Sequence, residues 1–103
     1  MIKLTVLYGT PTDPVAFDRH YADTHMPLAA KLPKLQRAEV AKVVATADGS
    51  EAPYYQVAEL TFPDMAAFGE SMGTEEGQAV AADVANFATG GATVLITETF
   101  IEQ

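Results

Sequence analysis

The sequence predicts an α+β fold with the element order β-α-β-β-α-β, and three observations predict it. Four short segments alternate apolar and polar residues with the period of two that marks a half-buried strand. Two longer stretches between them carry apolar residues at helical spacing, and each opens on a residue that caps helices. The strands also present a second, mixed face with enough apolar residues to need cover.

In the first segment Ile2, Leu4, Val6 and Tyr8 form a firmly apolar face, and Lys3, Thr5 and Leu7 form the mixed one. Gly9-Thr10-Pro11-Thr12-Asp13-Pro14 is turn chemistry, with Asp13 suited to an N-cap and Pro14 to the first helical position. The helix should run from Pro14 to about Thr24, because the residue before Pro27 is biased out of the helical region. Another turn is expected through Leu28 and Leu32. A second strand spans residues 37–45, and Asp48-Gly49 supplies a tight turn.

The third strand, Tyr54 to Phe62, places Gln56, Ala58, Leu60 and Phe62 on one face and Tyr55, Val57, Glu59 and Thr61 on the other. Asp64 caps a helix carrying Met65, Phe68 and Met72. Thr74 caps a further piece, with Glu75 and Glu76 at its positive end and Val80, Val84 and Phe87 along one face. Gly90-Gly91 ends that piece, and Thr93 to Ile101 is the last strand. This is the ferredoxin-like order, a four-stranded antiparallel sheet with the helices on one face. Thr5, Leu7, Tyr55 and Val57 are then expected on the opposite face, where burial is worth roughly 25 cal/mol per Å². Two sheets packed face to face would cover them, so a homodimer is expected.

A chain of 103 residues with 49% hydrophobic content makes one domain, residues 1–103, with one core. It has no Cys, which removes disulfides, thiol nucleophiles and Cys-based metal sites and suits a cytoplasmic location. The apolar run at Met1-Ile2-Lys3-Leu4 is too short for a signal peptide, and no stretch is long enough to span a bilayer. Net charge is −8, from six basic and fourteen acidic residues. With no basic patch to neutralise phosphates, neither nucleic acid nor membrane is an expected partner. GxGxxG, phosphate-loop, serine-elbow and HExxH patterns are missing, so no cofactor and no metal are expected.

Chemistry concentrates between Phe17 and Leu28. Phe17, Tyr21 and His25 are four residues apart, so on a helix they stack along one stripe. By periodicity alone this is ordinary core packing. It also sets two aromatic walls beside an imidazole, the side chain whose ordinary pKa lies nearest neutrality. A small apolar pocket with one chemical handle needs those groups. His20 falls off the stripe, beside Arg19 and Asp23, and reads as solvated surface. Five residues from His25, it does not share an α-helical face with it, and the two make a poor metal pair. Asp83 lies in an apolar stretch, either as a buried acid with a raised pKa or facing solvent one turn from Phe87. Lys3 and Glu59 alternate onto the mixed sheet face, where a pair at the rim would contribute little.

The order of these pieces resembles the EthD family, named for ether-degradation operons, within the dimeric α+β barrel superfamily. The matching features are the strand Ile2 to Tyr8, the turn Gly9 to Asp13, Phe17…Tyr21…His25-x-Pro27-Leu28 and Leu32-Pro33. Tyr54 to Phe62 with Pro63-Asp64, Thr74-Glu75-Glu76-Gly77, and Ala82-Asp83…Asn86-Phe87 complete the likeness. The resemblance implies a dimeric α+β barrel with a cleft between helices and sheet and the His25 imidazole at its mouth. Members of the family are linked to several kinds of chemistry.

The expected function is binding of a small apolar ligand, aromatic, quinone-like or lactone, in catabolic or secondary metabolism. Cofactor-independent proton transfer of isomerase, lyase or oxygenase type would follow, with His25 as base or acid and Tyr21 as hydrogen-bonding partner. Phe17, Leu7, Tyr55 and Val57 are the expected ligand contacts. As a histidine at a helix end beside Pro27, His25 is expected to be a poor core anchor. The alternative is a non-enzymatic ligand-binding or accessory protein of an oxygenase-based degradation system.

Overall fold

Strand alternation becomes sidedness in the computed structural model, which describes residues 1–103. In β1 (Ile2–Tyr8), Ile2, Leu4, Val6 and Tyr8 are buried while Lys3, Thr5 and Leu7 are half-buried. In β3 (Gln56–Phe62), Gln56, Ala58, Leu60 and Phe62 are buried on the same side. The sheet order is β2-β3-β1-β4, with β2 at Arg37–Lys42 and β4 at Ala92–Glu98, and every pairing is antiparallel. Leu4 lies opposite Leu60 on one side and Ile96 on the other, which fixes which residues share a face.

The helices cover one face of this sheet. Asp13 caps α1 (Pro14–His20) by accepting from the Ala16 N–H at 3.1 Å. Asp64 caps α3 (Met65–Met72) and Thr74 caps α4 (Glu75–Asp83) in the same manner. A short 3₁₀ turn, Val84–Asn86, follows α4. The result is the ferredoxin-like fold. Both edge strands remain uncovered, and Val40, Val94 and Ile96 are exposed although they face the helical side. No helix is long and apolar enough to cross a membrane.

The first helical region departs from expectation. It does not break before Pro27: α1 continues through a π-helical turn, Tyr21–His25, into α2 (Met26–Ala29). Met26 stays helical at φ −63° and ψ −41°, and its N–H donates to the Tyr21 carbonyl five residues back. The wider i→i+5 turn makes room for Pro27, whose nitrogen cannot donate. The strands are also shorter than their sequence patterns: β2 ends at Lys42, β3 begins at Gln56 and β4 ends at Glu98.

Tyr55 is accordingly not on the face opposite the helices. Lying just before β3, it turns its ring edge-on to Phe17, with centroids 5.3 Å apart, and its hydroxyl donates to Asp18 of α1. Leu7 and Val57 do occupy the helix-free face, where they pair in register beside Thr93. Lys3 and Glu59 meet there at 3.8 Å with both side chains well exposed, a rim pair of little energetic weight.

One backbone contact ties the two helical regions together. A Cβ on Gly9 would lie 2.2 Å from the Gly90 carbonyl oxygen, and one on Gly90 would lie 2.2 Å from that of Thr10. Glycine at both places lets the turn before α1 meet the turn before β4. Thr12 N–H donates to Thr89 Oγ1 across the same junction at 2.9 Å.

Candidate functional site

The π-helical turn builds the site. In an α-helix, residues 20 and 25 point in different directions; in a turn that closes i→i+5 they come onto one side. His20 and His25 thereby converge on Asp83 at the end of α4. His25 Nδ1 lies 2.9 Å from Asp83 Oδ2, and His20 Nε2 lies 2.9 and 3.0 Å from the two carboxylate oxygens. Asn86 Nδ2 donates to Oδ1 at 3.0 Å. The reading of His20 as solvated surface is overturned: it is half-buried and bonded to a buried acid.

Asp83 is 6% exposed, so burial alone would raise its pKa. Hydrogen bonds from Asn86, His25 and His20 outweigh that cost, and the carboxyl lies below its usual range. Asp83 is thus a buried acid with a lowered pKa, where a raised one was the buried alternative. His25 is 5% exposed. Desolvation lowers its pKa, and the opposing pull of Asp83 does not restore it. A neutral imidazole facing an ionised carboxylate places its proton on Nδ1. Nε2 then carries the lone pair, the bond to Asp83 being made by Nδ1.

Phe87 is the aromatic centre of this cluster, with its ring 4.8 Å from His25, 5.3 Å from His20, 5.4 Å from Tyr21 and 5.5 Å from Tyr8. His25 is therefore firmly packed, contrary to the expectation of a poor core anchor. Tyr21 stacks on Phe17 at 5.8 Å and tilts against His25 at 5.0 Å. Burial pushes the Tyr8 and Tyr21 phenols up, so both remain protonated donors.

A cavity of about 430 Å³ lies between sheet and helices. Its floor includes Leu4, Val6 and Leu60, and its roof includes Met26, Phe68 and Val84. Sixteen of its seventeen lining residues are hydrophobic, and His25 is the exception. Tyr21 lines it as well. Phe17, Leu7, Tyr55 and Val57 do not: Phe17 lies behind Tyr21 in the core, Tyr55 behind Phe17, and Leu7 and Val57 beneath the sheet. Sequence reasoning missed Asp83 and Phe87 as partners of His25. The nearest signal was an acid three residues from Asn86 within an apolar stretch.

No group of three or more His, Cys, Asp or Glu is arranged to hold a metal ion. The histidine–Asp83 distances are those of hydrogen bonds, against about 2.0–2.2 Å for zinc ligands.

Keeping His25 buried and neutral makes stability depend on pH. The folded protein binds fewer protons here than the unfolded chain, so stability is full above the usual histidine value of 6.5 and falls as pH drops below it. Asp83 acts with the same sign lower down, its contribution being lost as pH falls from 3.8 through the folded value. Urea midpoints should therefore decrease on going from about pH 7 to about pH 5. A rising midpoint over that interval would contradict a neutral buried His25.

Comparison with known proteins bears on the family and the fold. Residues 10–91 match the model of the EthD domain. An uncharacterized 11.0 kDa protein of the thcB-thcC intergenic region of Rhodococcus erythropolis is 42% identical over 98 residues, covering 95% of this chain and 94% of the relative. The crystal structure of an EthD family protein from Bacillus halodurans superposes with a TM-score of 0.90 at 37% identity, over 97% of this chain and 99% of that one. Two structures at 14% identity share the fold. One is a dimeric ferredoxin-like protein of unknown function from Thermobifida fusca, with a TM-score of 0.70 over 95% of this chain and 90% of that one. The other is SnoaB, a cofactor-independent oxygenase from Streptomyces nogalater, with a TM-score of 0.72 over 98% and 94%.

Proposed function

We propose, from the premise that this chain belongs to the EthD domain family, that it binds a small uncharged apolar molecule and acts on it by cofactor-independent proton transfer. The ligand is aromatic, quinone-like or a lactone. His25 is the base, and the Tyr21 phenol steadies the oxygen on which charge develops. One observation carries the reading: an otherwise hydrophobic cavity is lined by a single imidazole, bonded through Nδ1 to Asp83 so that Nε2 is the basic nitrogen.

The mechanism follows from that placement. A carbon acid in the cavity presents its C–H to Nε2. The C–H bond breaks, an N–H bond forms at Nε2, and the electron pair stays on the substrate as an enolate or phenolate. Asp83 stabilises the resulting imidazolium without itself taking the proton. The lowered His25 pKa keeps the base free near neutral pH. A cavity without lysine or arginine gives no counter-charge to a carboxylate or phosphate, so an uncharged ligand fits. The fold is shared with a cofactor-independent oxygenase, so the proposed cofactor-independent chemistry has a precedent on this scaffold.

α-Tetralone, a carbon acid small enough for the cavity, tests the reading. In deuterium oxide the protein should speed deuterium entry at its α-carbon, and His25→Gln should slow that by about 10²–10⁴-fold. Glutamine is preferable to alanine because it fills the buried position with a polar side chain that is not a base. Binding without exchange in either protein would make this a ligand-binding or accessory protein. Mass spectrometry of small molecules that co-purify would identify the natural ligand.

The active unit in this reading is a homodimer. The helix-free face carries Leu7, Val57 and Leu95 among threonines, and Leu95 is 46% exposed in the single chain. Packing two such faces together buries them, and structures sharing the fold are dimeric. Analytical ultracentrifugation at micromolar concentration should give twice the chain mass; a monomer would refute the arrangement.

A further inference from the structure

We propose that His20 is a positioning residue of this site: by donating to both oxygens of Asp83 it holds that carboxylate and shares its charge, and so keeps His25 in the Nδ1–H form with Nε2 free. The inference rests on the cavity being the working site.

The geometry separates the two histidines by environment. His25 is buried and lines the cavity. The His20 side chain is 28% exposed and lines a hollow of about 200 Å³ on the outer side of the cluster, with Thr12, Asp13, Asn86 and Thr89. Asp83 stands between them and is reached from both sides. His20 reaches Oδ1 and Oδ2 alike, while His25 reaches Oδ2 alone. With Asn86 on Oδ1, the carboxylate cannot rotate away from His25 without breaking bonds on its other side.

Charge sharing has a direction. An Asp83 carboxylate serving His25 alone would favour the imidazolium there and block Nε2 with a proton. A second histidine on the same oxygens draws on that negative charge. When His20 is protonated, it also repels a proton on His25. The other titratable groups against the cluster are the Tyr8 and Tyr21 phenols, from β1 and the π-helical turn, which both stay neutral, and Asp13, which lines the outer hollow beside His20 while capping α1. Phe87 packs on both imidazoles and admits no further charge. His20 is thus the one donor on the far side of Asp83, besides Asn86, placed to offset the pull of that carboxylate on His25.

Nitrogen-15 NMR of the imidazoles in the full chain tests this without any ligand. Wild type should show neutral His25 as the Nδ1–H tautomer. In His20→Phe the His25 titration midpoint should rise by about half a pH unit or more, a threefold gain in proton affinity. His20→Lys, which places a donor beside Asp83 again, should return both midpoint and tautomer toward those of wild type. His20→Leu, which also removes the donor, serves if the phenylalanine variant fails to fold, and should move the midpoint in the same direction. Unchanged midpoint and tautomer in the folded Phe or Leu variant would overturn the proposal. The proposed function fails separately: α-tetralone would not exchange in wild type even though the His25 titration still responded to His20.

Discussion

Phe17→Ala should cost the fold about 3–5 kcal/mol, the range for deleting a fully buried aromatic. Phe17 is 2% exposed. Its ring packs against Tyr8 at 5.4 Å, Tyr21 at 5.8 Å, Tyr55 at 5.3 Å and Phe87 at 5.2 Å, so the hole would be walled by rings too rigid to collapse into it. For a domain of this size the loss corresponds to about 15 °C or more in melting temperature. The damage should spread to function, because Tyr21 and Phe87, which position His25, lean on the same ring. Calorimetry showing a shift under about 2 °C would mean that Phe17 is not a core residue.

Asp83→Ala is the second large effect expected. Asp83 accepts from His25, His20 and Asn86, and its removal leaves the His25 Nδ1–H buried without a partner. At about 1–3 kcal/mol for each buried group orphaned, and with half-exposed His20 and exposed Asn86 able to turn toward water, the loss should be about 2–4 kcal/mol at neutral pH. The sign with pH is definite. Since Asp83 stabilises only while ionised, the gap between wild type and variant should close as pH falls through its lowered folded pKa. Urea titrations at several pH values measure this. A gap independent of pH would mean that the loss is one of packing rather than of charge. Deuterium exchange into α-tetralone should also fall, because nothing would then hold the His25 tautomer.

Much of this was legible along the chain. Alternation at Ile2 to Tyr8 and Gln56 to Phe62 named the buried face correctly, because in a strand sidedness is a local property of the pleat. The caps at Asp13, Asp64 and Thr74 were equally local, since each bond spans three residues. Tyr55 shows where locality ends. Its parity assigned it to the far face, but β3 had not yet begun and a partner on α1 drew it back.

The sequence by itself determined the order of elements, the apolar face of the sheet, and the stacking of Phe17, Tyr21 and His25, because those follow from periods of two and about four residues. It also singled out His25 as an imidazole in an apolar setting, which is where the cavity lining places it. Only the tertiary structure decided that His20 belongs with His25, because that depends on a π-helical turn which the local pattern does not announce. The same holds for Asp83, 58 residues from His25 in sequence and 2.9 Å away in space. The cavity, too, belongs to the tertiary structure. Its walls come from both helical regions and three strands, and the space they leave is set by how those layers pack.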